Sequence, residues 1–172
     1  MNINLFFSLL FLSLAMIFIL FKPLNLKEQS FVDVPVFELK FFTLHELNIF
    51  GLTTLMSGDS SIKFEDRQLV TNIEYTDNSR EYIANMKADE GIYKENIVEL
   101  TGNIVYLRED GLSFKTQKSI YDKQTEIIHT DTKFTSTRNN NVINGSSLKY
   151  NNNSQKIEAK NVTIKYKLKE SQ

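Results

Sequence analysis

The sequence predicts an all-β body preceded by one apolar helix. Past residue 22 the chain is rich in Val, Ile, Thr, Tyr and Phe, which alternate with polar residues over short runs. Asn, Asp and Gly separate these runs, as they do at turns between antiparallel strands. Residues 1–21 carry no charged side chain, so every charge of the chain lies after them. Residues 1–22 and the rest of the chain are therefore treated as separate regions.

The apolar run extends from Leu5 to Phe21 and is interrupted only by Ser8, Ser13 and Ala15. As a helix it would span about 25 Å, near the lower limit for a bilayer core of about 30 Å. A cleaved signal peptide is the competing interpretation. Such a peptide has a basic start and a small-x-small cleavage site, and neither occurs here. The run therefore favours a retained transmembrane anchor over residues 1–22.

The flanking charges point to a cytoplasmic body. Lys22 and Lys27 follow the apolar run, whereas only the terminal amine precedes it. Lys and Arg mark the cytoplasmic flank of a membrane helix. We expect a linker at residues 23–34, with Pro23 near its start and Pro35 just beyond its end.

The body is predicted to span residues 35–168, with a tail at 169–172. Polar clusters such as Asp77-Asn78-Ser79 and Glu109-Asp110-Gly111 mark its turns. The predicted strands are 36–44, 47–55, 61–64, 69–76, 81–88, 97–101, 103–107, 112–120, 126–130, 133–137, 142–150, 156–159 and 162–168.

A repeat of about 28 residues recurs in the body. Residues 86–94 and 114–122 both read apolar-Lys-x-x-x-small-Ile-Tyr-polar, and residues 143–151 keep this framework more loosely. This period fits a few short strands with their turns, and stacked units give a row of hairpins. Any meander with regular turns also looks repetitive, and the matched Lys-to-Tyr spacing favours true repetition.

Alternation within the strands predicts one apolar and one wet face. Val98 and Leu100 share a face opposite Glu99, and Ile157 opposes Lys156 and Glu158. Two sheets closing on an interior produce this pattern. A packed sandwich core and an interior that is open along one side for an apolar ligand both fit it.

The composition excludes several functions. The chain has 20 Lys and Arg against 21 Asp and Glu, which argues against nucleic-acid binding. It has no cysteine, so disulfides, thiolate nucleophiles and a lipidated N-terminal cysteine are ruled out. His45 and His129 stand alone in the sequence, and no catalytic motif accompanies them. We therefore predict a protein that is not an enzyme and uses no metal or other cofactor.

Four stretches of the body carry a family resemblance. Residues 83–93, with Lys87-Ala88, lead into residues 98–106, with Leu100-Thr101-Gly102, and residues 112–116 and 142–148 continue the pattern. This sequence resembles the LptC family of lipopolysaccharide export proteins. The resemblance is clear over about residues 81–168 and weaker over 31–80. The periplasmic bridge protein LptA and the N-terminal domain of LptD share this repeat, whereas the uncleaved anchor is particular to LptC.

The resemblance implies an elongated β-jellyroll of repeated antiparallel hairpins, open along one side. In that family the trough holds the acyl chains of lipopolysaccharide. The helix would associate with the LptB/LptF/LptG transporter of the inner membrane, and the body would lie in the periplasm, against the flanking charges. The candidate trough-lining residues are Val98, Leu100, Ile104, Tyr106, Phe114, Ile128, Phe134, Ile143, Ile157, Val162 and Ile164.

Edge strands complete the expectation. An open sandwich leaves unpaired strand edges that can pair with another chain. The resemblance implies that the body joins LptF at its start and an LptA-like bridge protein at its end. The partner-binding edge at the end is predicted to comprise Val162, Thr163, Ile164, Lys165 and Tyr166. The expected function is a non-catalytic relay of lipopolysaccharide, and the alternative is a membrane-tethered scaffold that joins partners without binding lipid.

Overall fold

The computed structural model describes residues 3–20, 34–49 and 51–166. Most of the predicted linker, the predicted tail and residues 167–168 of the last predicted strand lie outside these ranges. The chain divides into two compact units, residues 1–31 and 32–172. Each unit is described separately.

The first unit contains helix α1, Ile3–Leu20, of 18 residues. Its residues are almost all Leu, Phe, Ile and Met, and its described side chains, at residues 3–17, are exposed on every face. Within the described residues, the search for a helix with the length and apolarity needed to cross a membrane finds none. The predicted transmembrane anchor therefore stays a prediction.

The second unit is built from antiparallel strands, which confirms the predicted fold class in its main feature. Residues with β-branched and aromatic side chains dominate these strands, as expected for a pleated, half-buried surface. The strands are β1 Phe37–Asn48, β2 Gly51–Lys63, β3 Gln68–Asp77, β4 Ala84–Lys94, β5 Ile97–Arg108, β6 Ser113–Asp122, β7 Ile127–Thr130, β8 Phe134–Arg138, β9 Asn141–Gly145, β10 Ser147–Asn151, β11 Lys156–Lys160 and β12 Thr163–Lys165.

The sheet is a meander that forks. Strands β1 to β6 pair in chain order. Beyond β6 the pairing divides: one end of β6 pairs with β7, and the other end pairs with β8. From β7 the pairing continues through β10 to β11, and from β8 it continues through β9 to β12. One sheet therefore ends in two separate half-sheets.

Three predicted strand boundaries are wrong. Predicted strands 47–55 and 61–64 are one strand, β2, and 97–101 and 103–107 are also one strand, β5. At the latter site Gly102 (φ 76°) and Asn103 (φ 44°) form a bulge that bends β5 without ending it. Conversely, predicted strand 142–150 is divided at Ser146 into β9 and β10, because the backbone N–H of Ser146 donates to the carbonyl of Lys160 instead.

A line of interrupted pairing crosses all the strands at one level. We call it the corner. Between β4 and β5 the register shifts between Lys87 and Glu90, and between β5 and β6 it shifts between Thr101 and Ile104. In the later strands the corner is a complete break, between β7 and β8, β9 and β10, and β11 and β12. The bulges and breaks have the same effect: each strand changes direction there.

Asparagines secure the corner. Asn72, Asn103 and Asn161 have φ values of 44° to 52°, in the left-handed region that Asn tolerates better than most residues. Their Nδ2 atoms donate to Asp59 (2.6 Å), Asp89 (2.8 Å) and Ser146 (2.9 Å), respectively. Two neighbouring chain segments are thereby held together where the regular ladder is interrupted. The spacing of these asparagines, about 30 residues, matches the repeat period.

The corner divides the sheet into two leaves. Leaf A comprises 42–48, 51–58, 73–77, 84–88, 104–108, 113–116, β8, β9 and β12. Leaf B comprises 37–40, 60–63, 68–71, 90–94, 97–101, 118–122, β7, β10 and β11. Ile73 and Ile104 of leaf A pack with Val70 and Leu100 of leaf B in one buried cluster, which also contains Ala88. Burial of this cluster holds the leaves together at the corner.

Candidate ligand trough and sheet edges

One apolar row crosses the inner face of leaf A. Cross-strand pairing links its nine residues in order, one from each strand, over about 38 Å at roughly 4.8 Å per strand. The row is Leu44, Met56, Tyr75, Met86, Tyr106, Phe114, Ser136, Ile143 and Ile164. Its two end residues are about 60% exposed, and those between are half-buried. The row is apolar except at Ser136.

A second row crosses the inner face of leaf B, and its later part contains the repeated tyrosines. Pairing links Tyr93, Val98, Tyr121, Ile128, Tyr150 and Ile157 in that order. The tyrosines spaced 28 and 29 residues apart thus alternate with aliphatic residues along one line. The row is polar at Lys63 and Gln68, which precede Tyr93. Leaf B therefore presents its apolar surface mainly towards the forked end of the sheet.

The predicted trough-lining residues divide by burial. Leu100, Ile104 and Phe134 are almost fully buried at the corner, with 8%, 3% and 3% exposure. Ile157, Val162 and Ile164 are exposed. The rest are half-buried: Val98, Tyr106, Phe114, Ile128 and Ile143. The sequence prediction missed Met56, Tyr75, Met86 and Tyr121, although the alternation within their strands could have identified them.

Aromatic side chains cover the inner surface near the fork. The rings of Phe114 and Phe134 stack with centroids 5.6 Å apart. Tyr106 pairs with Phe114 across the strands, and burial raises the pKa of its hydroxyl above the ordinary value, with Arg108 opposing the shift. The half-buried positions combine an apolar ring with a polar end that reaches water. Such a surface suits an amphipathic ligand.

Buried hydroxyls fill the point where the sheet forks. Thr116 lies 2.8 Å from Thr132 and 3.0 Å from Thr130, and these two also lie 3.0 Å from each other. Thr116 additionally donates to the carbonyl of Lys133 at 3.2 Å. Thr116 and Thr130 are 5% and 3% exposed. The mutual bonds satisfy polar groups that would otherwise be costly to bury where β6 passes from one leaf to the other.

Charged residues lie at the outer end of leaf A, beyond Tyr106. Asp110 accepts two hydrogen bonds from Arg108, at 2.8 and 2.7 Å, and an ion pair with Arg138 at 2.8 Å. The bonds from Arg108 hold the pKa of Asp110 at about 2, and desolvation opposes the shift. Arg108 also lies over the ring of Tyr82. This cluster fixes the turn between β5 and β6 to the end of β8.

Unpaired edges occur at both ends of the sheet. Within the described residues, β1 pairs with β2 alone, and at the fork β11 pairs with β10 and β12 with β9. All of β11 and β12 and nearly all of β1 are exposed. The predicted edge residues Thr163, Ile164 and Lys165 form β12, with Val162 and Tyr166 beside it. The sequence prediction missed the second edge, β11, because it did not predict the fork.

The apolar side chains on these edges are large. At the β1 end Phe37, Leu39, Leu44 and Leu47 are 45–70% exposed, and Phe41 is 84% exposed. At the forked end Ile157, Ile164 and Tyr166 are 60–69% exposed. Exposed apolar strands with free backbone groups are typical of surfaces that pair with another chain. No group of residues suited to holding a metal ion occurs in the described part of the chain.

These features define a class of protein: a bent antiparallel sheet with an apolar inner surface and free strand edges. The sequence model of the family described as lipopolysaccharide-assembly, LptC-related, matches residues 9–167. The chain therefore belongs to the LptC-related family, as its resemblance predicted. Membership implies a part in lipopolysaccharide transport in the cell envelope, as a transport or binding component. A search of curated proteins finds no match.

Proposed function

We propose that this protein is a non-catalytic relay subunit that binds lipopolysaccharide in an open β-jellyroll and passes it along a periplasmic path. One observation carries the proposal: the inner row of leaf A runs without a charged residue through nine strands, from one free edge to the other. Acyl chains buried there would gain about 0.8 kcal/mol per CH₂. A row that reaches both edges would let a lipid enter at one end and leave at the other.

The proposal assigns each edge a partner. The β1 edge joins the jellyroll of LptF in the LptB/LptF/LptG transporter, and the forked end joins an LptA-like bridge protein. Both contacts use the free backbone groups of edge strands. Helix α1 is the single transmembrane anchor in the inner membrane, and the body lies in the periplasm. The exposed apolar side chains on every face of α1 support this assignment.

Site-specific photo-crosslinking tests lipid binding. A photo-reactive amino acid is placed at Tyr106, Phe114 or Ile128 on the inner rows, and at Val105, Lys115 or His129, which are their neighbours in the chain. Adjacent residues of a strand point to opposite faces. Lipopolysaccharide should be captured at the three inner positions and not at the three outer ones. Equal capture on both faces would refute the proposal.

A charge in the row provides a second test. Phe114→Asp should reduce capture at Ile128 strongly, because a carboxylate replaces an aromatic surface along the lipid path. Lys115→Asp places the same charge on the outer face and should leave capture unchanged. Circular dichroism of both variants establishes that they are folded. Unchanged capture by folded Phe114→Asp would contradict a lipid path along leaf A.

The exposed edges also support a second function, a scaffold that joins partners without carrying lipid. Deletion of residues 162–172 distinguishes the two. Under the relay proposal, the deletion abolishes binding of the bridge protein and stops onward transfer, while the remaining inner rows still capture lipopolysaccharide. A scaffold would lose bridge-protein binding equally, but it would show no capture before or after the deletion.

A further inference from the structure

A hydrogen bond joins the two leaves at their outer ends, far from the corner. Arg80 lies in the connection between β3 and β4, at the end of leaf A, and Asn152 lies in the turn between β10 and β11, at the end of leaf B. Arg80 Nη1 donates to Asn152 Oδ1 at 3.5 Å, between residues 72 positions apart in the sequence. The inner space lies between this contact and the corner. The contact therefore spans its opening.

The two partners are held to different degrees. Asn152 is fixed to leaf B, because its Nδ2 donates to Glu126 Oε2 at 2.6 Å and its backbone N–H donates to the carbonyl of Glu126 at 3.0 Å. Arg80 is held loosely: its Nε lies 3.8 Å from Asp77 Oδ2, and its side chain is 65% exposed. Asp77 itself is occupied by Ser79, whose N–H and hydroxyl donate to its Oδ1. Arg80 is thus the movable half of the contact.

The position of Arg80 also relates it to the inner row of leaf A. Its charge acts on Tyr106 and Tyr75, in both cases lowering a pKa that burial raises. These two tyrosines occupy the middle of the row. An amphiphile whose acyl chains lie along the row would therefore bring its polar end close to Arg80.

We propose that Arg80 and Asn152 form a latch across the opening, which an anionic amphiphile releases by binding the guanidinium of Arg80. A single neutral-acceptor hydrogen bond at 3.5 Å is weak, whereas a phosphate can bind a guanidinium through two charge-assisted bonds. A ligand with the same acyl chains but no phosphate lacks this exchange and must open the latch unaided. The latch rests on the proposed lipid-binding function, and it adds a selection for negatively charged headgroups.

A reversible cross-link tests the latch. Because the chain contains no cysteine, Arg80→Cys and Asn152→Cys introduce the only two thiols. A short bis-methanethiosulfonate reagent joins them in the full-length chain held in amphipol, and reductant separates them. Capture of lipopolysaccharide is measured with a photo-reactive residue at Ile128. The cross-linked form should capture several-fold less than the same sample after reduction.

Each outcome has a definite meaning. Equal capture by the cross-linked and reduced forms overturns the latch and leaves the proposed function standing, provided that the unmodified chain captures lipid. A lack of capture by the unmodified chain overturns both proposals. Recovery on reduction supports the latch, because a misfolded double variant would not recover.

The headgroup selection has its own test. Capture of lipopolysaccharide is compared with capture of the same material after phosphatase treatment, and inorganic phosphate is added in a parallel arm. The unmodified chain should prefer the phosphorylated form roughly tenfold, the effect of one charge-assisted hydrogen bond. Arg80→Gln should remove this preference. Arg67→Gln, at a turn where the arginine contacts Phe64 and Asp66, should retain it.

The parallel arm identifies the source of the phosphate. If the headgroup releases the latch, inorganic phosphate should not raise capture of the dephosphorylated material, since it is not tethered to the acyl chains. If inorganic phosphate restores that capture, coupling between headgroup and chains is overturned. Retention of the tenfold preference by Arg80→Gln also overturns the proposal.

Discussion

The first six strands and the last six solve the same bending problem differently. Strands β1–β6 have 10 to 13 residues each and bend at the corner while remaining continuous, whereas β7–β12 have 3 to 5 residues and break there. The entire buried apolar cluster lies within the first group. In the second group only Phe134 and Thr130 are buried. Continuous strands thus support a closed core, and broken strands leave the inner face accessible.

The largest test of this contrast removes the same atoms from each half. Ile104→Ala should lower the free energy of unfolding by about 2–4 kcal/mol, because Ile104 is 3% exposed within the core cluster. Ile164→Ala removes identical groups from a side chain that is 60% exposed, and we expect a loss below about 0.5 kcal/mol. Urea unfolding measures both. Similar losses would mean that the two halves do not differ in packing.

Close packing at one point of the broken half provides the second test. A Cβ added at Gly145 would overlap the ring of Phe134 and lie close to the carbonyl of Lys160. Gly145→Ala should therefore cost roughly 1–3 kcal/mol. In a Phe134→Leu background the same change should cost less, since the obstructing ring is absent. A double-mutant cycle measures this coupling, and a coupling energy of zero would contradict the contact.

The threonine cluster tests whether a broken corner depends on buried hydroxyls. Thr116→Val keeps the shape of the side chain but removes the hydroxyl that contacts Thr130, Thr132 and Lys133. We expect a loss of about 1–2 kcal/mol in urea unfolding. Thr43→Val on the exposed face of β1 is the matched control and should be nearly neutral. A neutral Thr116→Val would show that the fork does not need the cluster.

The smallest effect concerns the charged cluster at the end of leaf A. The pKa of Asp110 is depressed to about 2, so its contribution to stability is present above the ordinary pKa of 3.8 and declines as the pH falls towards 2. Asp110→Asn should flatten this part of the stability profile. Thermal unfolding from pH 5 to pH 2 measures the difference from the unmodified chain. A pH-independent difference would exclude a titrating Asp110.

The contrast between the halves also explains what the sequence could predict. Alternation and turn residues predicted the antiparallel body and most strands, because each strand has one buried face. The sequence could not distinguish a bulge from a break, since Gly and Asn occur at both. Gly102-Asn103 bends β5, whereas the chain after Gly145 breaks through a hydrogen bond to Lys160, a residue far away in the sequence.

The candidate site shows the same limit. The tyrosines of the repeat were recognised by spacing, but their common row on leaf B depends on the cross-strand register, which is fixed only when strands pair. The fork, and with it the second edge at β11, arises from the way β6 divides its partners. The contact between Arg80 and Asn152 joins residues without any local sequence signal.

The asparagine-secured corner has a consequence for the evolution of this architecture. Because each period of about 30 residues adds two strands and one such corner contact, duplication of a period would insert a ready-made module into the sheet. Each insertion would lengthen the molecule by about 10 Å without altering the modules on either side. The span of such a protein can therefore change only in discrete steps, and proteins built on this plan can be fitted to envelopes of different width by counting modules.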